Sequence, residues 1–249
     1  MPKHTLSFYS AVQHVLKHMG HILAKTYPIA TAMTMRQLWH TCRMLLIFGK
    51  STSINVRKVL WTCAELGLPY QLQQYGGSHL PTNTPEFLAM NPNGLVPVIV
   101  DDGQALWESN TICRYLAGKH GRPDLLPAEP LARAQVEKWM DWQATELNGA
   151  WRYAYMALVR QSPAHTDPSA ISASAREWNR LMTLLDAQLA AKAYICGDSL
   201  TLADIVLGLS VNRWLSTPIE RPALPAVAAY FERLSELPGF MAHGRNGHP

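Results

Sequence analysis

Two short clusters hold the side chains best suited to chemistry. The first runs Lys50-Ser51-Thr52-Ser53-Ile54-Asn55, placing three hydroxyls and an amide just ahead of an apolar helical pattern. The first N–H groups of a helix lack intrahelical partners and its dipole favours negative charge there, so a hydroxyl at that end can donate to an anion. The second cluster is Glu108-Ser109, where an apolar strand pattern gives way to another helix. The same physics makes that junction an anion site, with Ser109 as a donor and Glu108 as a partner for a cation. In isolation both clusters read equally well as plain helix starts, since serine is a favoured N-cap and a surface glutamate is ordinarily solvated.

Thiol and metal chemistry have weaker support. The four cysteines, Cys42, Cys63, Cys113 and Cys196, form no CxxC and no metal-ligand spacing, which points to a reduced, cytoplasmic protein without disulfides. Cys63 and Cys113 fall among apolar neighbours in helical patterns and are expected to be buried and inert. His4, His14, His18, His21 and His40 crowd the first 43 residues. Although His14 and His18 stand four apart, nothing except Cys42 follows to complete a ligand set, so no metal is expected.

The elements that must position these groups are legible from Met44 onward. Residues 44–48, MLLIF, are a short apolar run of the kind a buried strand shows. Ser53 is placed to cap the helix NVRKVLWTCAEL (55–66), whose Val56, Val59, Leu60, Cys63 and Leu66 share a face and which Gly67 stops. A second strand, 69–75, precedes a short helix that starts at Thr84-Pro85-Glu86 and ends near Met90. VPVIV (96–100), Asp102-Gly103 and QALW (104–107) spell an antiparallel hairpin, and Ser109 opens a helix that Gly121 and Pro123 end. This order, a βαβ crossover and then a hairpin, predicts a mixed four-stranded sheet covered by helices. After the proline-punctuated stretch RPDLLPAEP (122–130), only helical spacing follows, over 131–161 and 170–191 with a break at 162–169. SLTLADIVLG (199–208) marks another helix start, with Thr201 as N-cap, Asp204 completing a capping box and Leu200 and Ile205 as its staple. Those residues serve folding.

Composition argues for a globular chain: 48% of the 249 residues are hydrophobic and 16% charged. The net charge of +4 does not point to nucleic acid or membranes. Lys3, Lys17, Lys25, Arg36 and Arg43 meet no acidic residue in the first 43 positions, and removing them from the 22 basic residues leaves 17 against 18 acidic ones. No apolar run approaches the ~18 residues of a membrane span. Residues 1–43 are expected to be a disordered extension or untranslated sequence upstream of a start at Met44. A targeting peptide is the remaining alternative, since 11–25 could form an amphipathic helix free of acidic residues.

The stretch NPNGLVPVIVDDGQALWESNTICRYLA (91–117) resembles the glutathione-binding signature of soluble glutathione S-transferases: N-P-x-G-x-V-P, a hairpin, then E-S before a helix. The linker and SLTLADI follow in that family's order, so the resemblance spans about residues 44–240. STSINVRKVL is most similar to the serine-using, phi- and theta-like bacterial branch. The implied architecture is a thioredoxin-like α/β domain with a mixed four-stranded sheet at 44–121, a linker at 122–130, and an all-α helical bundle domain at 131–249.

The resemblance also implies roles. A cis Val96–Pro97 bond would turn the Val96 N–H and C=O outward to pair with the cysteinyl backbone of glutathione, the co-substrate. Ser109 would bind the γ-glutamyl carboxylate and Glu108 the γ-glutamyl ammonium. A thiol of pKa ~8.5 is only about 3% thiolate at pH 7, so a hydroxyl donating to its sulfur raises the reactive fraction. Ser53 is the first choice for that donor, with Thr52, Asn55 and Ser51 as alternatives. Phi-like relatives carry a basic pair where this chain has Thr82-Asn83, leaving His79 or Lys50 for the glycine carboxylate. Trp142, Trp151, Tyr153 and Tyr155 are core or second-substrate candidates. The expected function is conjugation of the glutathione thiolate to an electrophilic small molecule. A glutathione-dependent disulfide reductase and a non-catalytic glutathione-binding homologue are the alternatives. A homodimer is expected, helped by Trp107 and Met90 as apolar residues without evident core partners.

Overall fold

The computed structural model describes residues 44–249; the extension at 1–43, with Cys42 and the histidine cluster, lies outside the described residues. Two compact units emerge. The first holds the described chain up to Val56 together with Leu68–Ile112, and the second Arg57–Gly67 together with Cys113–Pro249.

The first unit is built on a four-stranded sheet of β1 (Leu45–Phe48), β2 (Tyr70–Gln73), β3 (Val98–Asp101) and β4 (Gln104–Trp107), in the order β2-β1-β3-β4. β1 and β2 are parallel, which demands a crossover, and α1 (Ile54–Leu66) is the chain between them. β3 runs antiparallel to both β1 and β4. Asp102 and Gly103, at φ +47° and +79°, make the two-residue turn that matches strand twist. β1 is buried at every position, so both sheet faces are covered. On one face Leu46, Phe48, Val98 and Val100 pack with Phe87 and Met90 of α2 (Pro85–Met90). Tyr75 lies against Phe48 and Phe87 at ring distances of 5.6 and 5.1 Å. Met90 is therefore a core residue, 6% exposed, and not the free apolar surface expected of it, because its helix faces the sheet. The second strand is shorter than 69–75, since Gly76 and Gly77 turn the chain through positive φ after Tyr75. α3 (Ser109–Lys119) follows β4.

The second unit is helical. α4 (Pro130–Trp142) is capped by Glu129, whose carboxylate accepts from the N–H groups of Leu131 and Ala132. The single helical pattern read over 131–161 is interrupted by a π-helical turn, Gln143–Leu147, before α5 (Asn148–Leu158). Buried Gln143 accounts for the wider turn: its Oε1 accepts from Lys58 at 2.6 Å, and its Nε2 donates to Asn148 Oδ1 at 2.9 Å. The long α6 (Pro168–Leu189) packs along α5. α7 (Leu202–Ser216) is buried from Leu202 through Trp214. A Cβ on Gly208 would fall 2.6 Å from Cδ1 of Leu234, so a larger residue there would have to displace that side chain where α7 meets α8 (Pro225–Ser235). α9 (Pro238–His243) lays Phe240 against Trp61 at 5.1 Å. Asp204 closes the expected capping box, accepting from the Thr201 N–H and hydroxyl at 2.8 and 2.9 Å. Among the described residues, no helix is long and apolar enough to cross a membrane.

Candidate functional site

The hydroxyl cluster sits at the end of β1. Gly49 N–H donates to Gln73 O at 2.9 Å, extending the pairing of β1 and β2, and the chain then turns, with Ser53 N–H donating to Lys50 O at 3.0 Å. The turn is tight because Gly49 has no side chain: a Cβ there would stand 2.5 Å from Cγ2 of Val56 and 3.4 Å from Cβ of Val96. Ser53 is left as the residue before α1, half-buried like Thr52 and Asn55, while Ser51 is exposed and Ile54 buried. The first turn of α1 contains no acidic residue, so its dipole is not offset by a carboxylate.

Val96 comes to the same corner. The Val96–Pro97 bond is cis, and among the described residues neither the N–H nor the C=O of Val96 makes a backbone hydrogen bond. Asn91 holds the loop ahead of it: Asn91 Nδ2 donates to Leu95 O at 2.8 Å, and its Oδ1 accepts from Asn93 N at 3.0 Å. Asn91, 3% exposed, is the positioning residue that sequence reasoning missed, though it opens the N-P-x-G motif.

The loop after Tyr75 closes the corner. Gly76 N–H donates to Leu80 O and His79 N–H to Gly76 O, at 2.8 and 3.3 Å. A Cβ on Gly76 would be 4.0 Å from the Val96 methyls, and one on Gly77 only 3.0 Å from Lys50 Nζ. The Lys50 ammonium thus lies over the Gly77 backbone, in the loop that borders Val96. His79 is exposed in the same loop.

Glu108 and Ser109 divide their work differently from a simple serine cap. Glu108 C=O accepts from Ile112 N–H at 2.8 Å, so Glu108 holds the cap position and Ser109 is the first helical residue, 6% exposed. Glu108 does this at φ +73°, a left-handed conformation that costs a non-glycine residue about 1–3 kcal/mol and persists where its surroundings impose it. Asn110, 8% exposed, sits beside Ser109 in that first turn.

The aromatic candidates of the helical unit do not converge. Trp142 pairs edge-on with Trp139. The Tyr153 hydroxyl accepts from Asp167 N–H, and its ring lines an open cavity of about 450 Å³ with Glu146, Ser174 and Glu177. Trp151 and Tyr155 meet at 5.3 Å and share the guanidinium of Arg213. Cys63 and Cys113 are buried, which pushes their thiols up to about 12 and about 11, so neither is a nucleophile at neutral pH. Among the described residues, no group of three or more His, Cys, Asp or Glu is gathered as a metal site would need.

Comparison with known proteins gives this geometry a family. Residues 52–119 match the family model "Glutathione S-transferase, N-terminal domain", and residues 149–238 match "Glutathione S-transferase, C-terminal domain". The chain is 40% identical over 197 residues to Glutathione S-transferase GstB of Escherichia coli, covering 78% of this chain and 95% of that one. It is 31% identical over 204 residues to Glutathione S-transferase 3 of Zea mays, covering 79% and 91%. Among solved structures, the theta class glutathione S-transferase of Xanthomonas axonopodis pv. citri with glutathione bound superposes with a TM-score of 0.77 at 37% identity, covering 82% of this chain and 98% of that one. Identity of this extent through both the α/β and the helical portions leaves one conclusion: the chain belongs to the glutathione S-transferase family, whose members conjugate glutathione to electrophiles.

Proposed function

We propose that this glutathione transferase is a serine-using enzyme of the phi- and theta-like kind, in which Ser53 donates its hydroxyl to the glutathione sulfur. The observation that carries this is the close packing of Gly49 on Val56 and Val96, which sets the Ser53 turn beside an unpaired strip of backbone. Glutathione would lie antiparallel to Val96 through its cysteinyl N–H and C=O, with Pro97 fixing the strand behind it. Its γ-glutamyl carboxylate would meet Ser109 at the start of α3, and its ammonium would meet Glu108. For the glycine carboxylate, Lys50 is favoured over His79: its ammonium rests on the Gly77 backbone close to Val96, whereas His79 is open to solvent. Thr52 and Asn55 remain within the same turn and would steady the sulfur from either side.

The chemistry needs no protein thiol. Once ionised, the glutathione sulfur forms a bond to the electrophilic carbon as the leaving group departs with its electron pair. We place the glutathione-binding portion at 44–121 and the helical portion at 131–249, with 122–130 as the link, in a cytoplasmic enzyme. Buried, unpaired Cys63 and Cys113 support a reducing setting. The test compares conjugation of 1-chloro-2,4-dinitrobenzene with reduction of a small glutathione mixed disulfide. Conjugation should dominate; reduction alone would point to a reductase, and neither, with glutathione still bound, to a binding homologue.

We also propose a two-fold dimer. Leu80, Leu95 and Trp107 are 53%, 64% and 37% exposed in the first unit, large apolar side chains that a partner subunit would cover. Sedimentation at micromolar concentration should give a dimer; a single monomeric species would refute it.

A further inference from the structure

α1 is one unbroken helix, Ile54–Leu66, yet from Arg57 onward its residues belong to the helical unit. It is tied there at several positions. Lys58 donates to Gln143 Oε1 at 2.6 Å, the rings of Trp61 and Phe240 meet at 5.1 Å, and Glu65 O accepts from Arg122 at 2.6 Å. Arg57 is the tie nearest the helix start. It stands in the first turn, four positions after Ser53, and its side chain is fully buried. Burial pushes its pKa down to about 10, which leaves the guanidinium charged at neutral pH. A buried cation is costly to hold unless acceptors surround it.

Those acceptors come from a single short segment. Arg57 Nη1 donates to His248 O at 2.9 Å and, more loosely, to Asn246 Oδ1, Gly244 O and His243 O at 3.3, 3.4 and 3.5 Å. Its Nη2 donates to Pro249 O at 2.7 Å. Gly247 takes φ +82°, a conformation open to glycine, and bends the chain so that residues on either side of it meet the same guanidinium. Asn212 of α7 donates to His248 O at 2.8 Å, and Arg245 donates to Glu232 Oε2 and Ser235 Oγ of α8, each at 3.0 Å. Segment 244–249 is thus a strap, fixed to α7 and α8 and closed around a side chain of α1.

We propose that Arg57, through this strap, is a positioning residue for the reaction: it fixes the first turn of α1 and so holds the Ser53 hydroxyl on the glutathione sulfur. The inference rests on the assignment of Ser53 as the donor. Its route is covalent, along the backbone from Arg57 to Ser53. Without the strap the guanidinium must turn towards water, and the first turn of the helix follows it. A hydrogen bond weakens steeply with distance and angle, so a shift of about a few tenths of an ångström lowers the thiolate fraction. The strip at Val96 and the site at Ser109 stand on other elements and would go on binding glutathione.

Two substitutions loosen the strap without emptying the core. Gly247 is exposed and a Cβ there would meet nothing within 4 Å, so Gly247→Val acts only by disfavouring φ +82°. Arg57→Lys keeps a cation but loses the fork that spans both arms of the strap. In both variants bound glutathione should ionise at a pH higher by about half to one unit, and kcat at pH 7 should fall about threefold to tenfold. KM for glutathione should stay within about twofold, and the deficit in kcat should close as the medium is made alkaline. In a Ser53→Ala background, Gly247→Val should add almost nothing, because the hydroxyl it displaces is gone. A lower melting temperature with the thiolate titration in place would assign the strap to stability alone and overturn the proposal. So would a loss that adds to that of Ser53→Ala. The single variant Ser53→Ala keeps the two assignments apart. If it moves the titration and the strap variants do not, Ser53 stands and the strap's role falls. If only the strap variants move it, the Ser53 assignment falls while the strap's hold on that turn stands.

Discussion

Replacing Ser53 with alanine is expected to lower turnover at neutral pH on the order of 10–30-fold while leaving glutathione affinity nearly unchanged. The hydroxyl touches the sulfur alone in the proposed complex; the backbone of Val96 and the anion site at Ser109 do not depend on it. A hydroxyl that donates to a thiolate at a helix N-terminus lowers the thiol pKa by about one to two units, or roughly 1.4–2.7 kcal/mol of preference for the anion. Losing it returns the thiol towards ~8.5 and the thiolate fraction at pH 7 towards about 3%. The sign follows: bound glutathione in the variant should ionise at higher pH, so the deficit should narrow as the medium is made alkaline. Ser109→Ala should show the opposite split, weakening glutathione binding by about 1–3 kcal/mol because a buried carboxylate loses a donor, with little change in kcat at saturation. Thiolate absorbance of bound glutathione against pH reads both variants. If Ser53→Ala leaves that titration in place and Thr52→Ala or Asn55→Ala moves it, the donor is misassigned and the fold assignment is untouched.

What could be read from the sequence follows local chemistry. β1 announces itself as an unbroken apolar run, α2 through Thr84-Pro85, the hairpin through Asp102-Gly103, and α7 through Thr201 and Asp204, each of which fixes backbone within a few residues. The features missed depend on partners distant in sequence. The π turn at Gln143 answers to Lys58, 85 positions earlier, and no window of local periodicity contains that bond. Met90 reads as exposed until α2 is docked on Leu46 and Phe48. The choice between Lys50 and His79 turns on the path of Gly76 and Gly77, whose positive φ values fold one loop under the Lys50 ammonium. Trp151 and Tyr155 are visible as an i, i+4 aromatic pair, but the arginine that contacts both rings comes from α7, whose apolar residues give no warning of a buried cation. α8 and α9 could have been found from Pro225 and Pro238 at their first turns, a start signal the apolar spacing alone did not bring out.

Asp204 offers the largest effect on stability. It lies fully buried, and both oxygens are occupied: Oδ1 accepts from Ile195 N–H at 2.8 Å and from the Tyr230 hydroxyl at 3.1 Å, while Oδ2 accepts from the Thr201 N–H and hydroxyl. One carboxylate therefore joins the start of α7 to the preceding loop and to α8. Asp204→Ala strands these donors away from water and opens a void, an expected loss of about 3–5 kcal/mol, or a fall of about 10–15 °C in Tm. The carboxyl also carries a pH signature. Burial lifts its pKa to about 6 even though all four contacts favour the ionised form. With the folded pKa above that of the unfolded chain, the folded state holds the proton more tightly. The group's contribution is then greatest below about pH 4 and is lost as pH rises through 6, a change of about 3 kcal/mol. Asp204→Asn keeps the shape and cannot titrate, so the margin by which the native chain exceeds it should be wider at pH 4 than at pH 7. Melting both proteins across that range decides the matter: a margin that is flat, or widest at pH 7, would mean that the four donors outweigh burial and keep Asp204 ionised throughout.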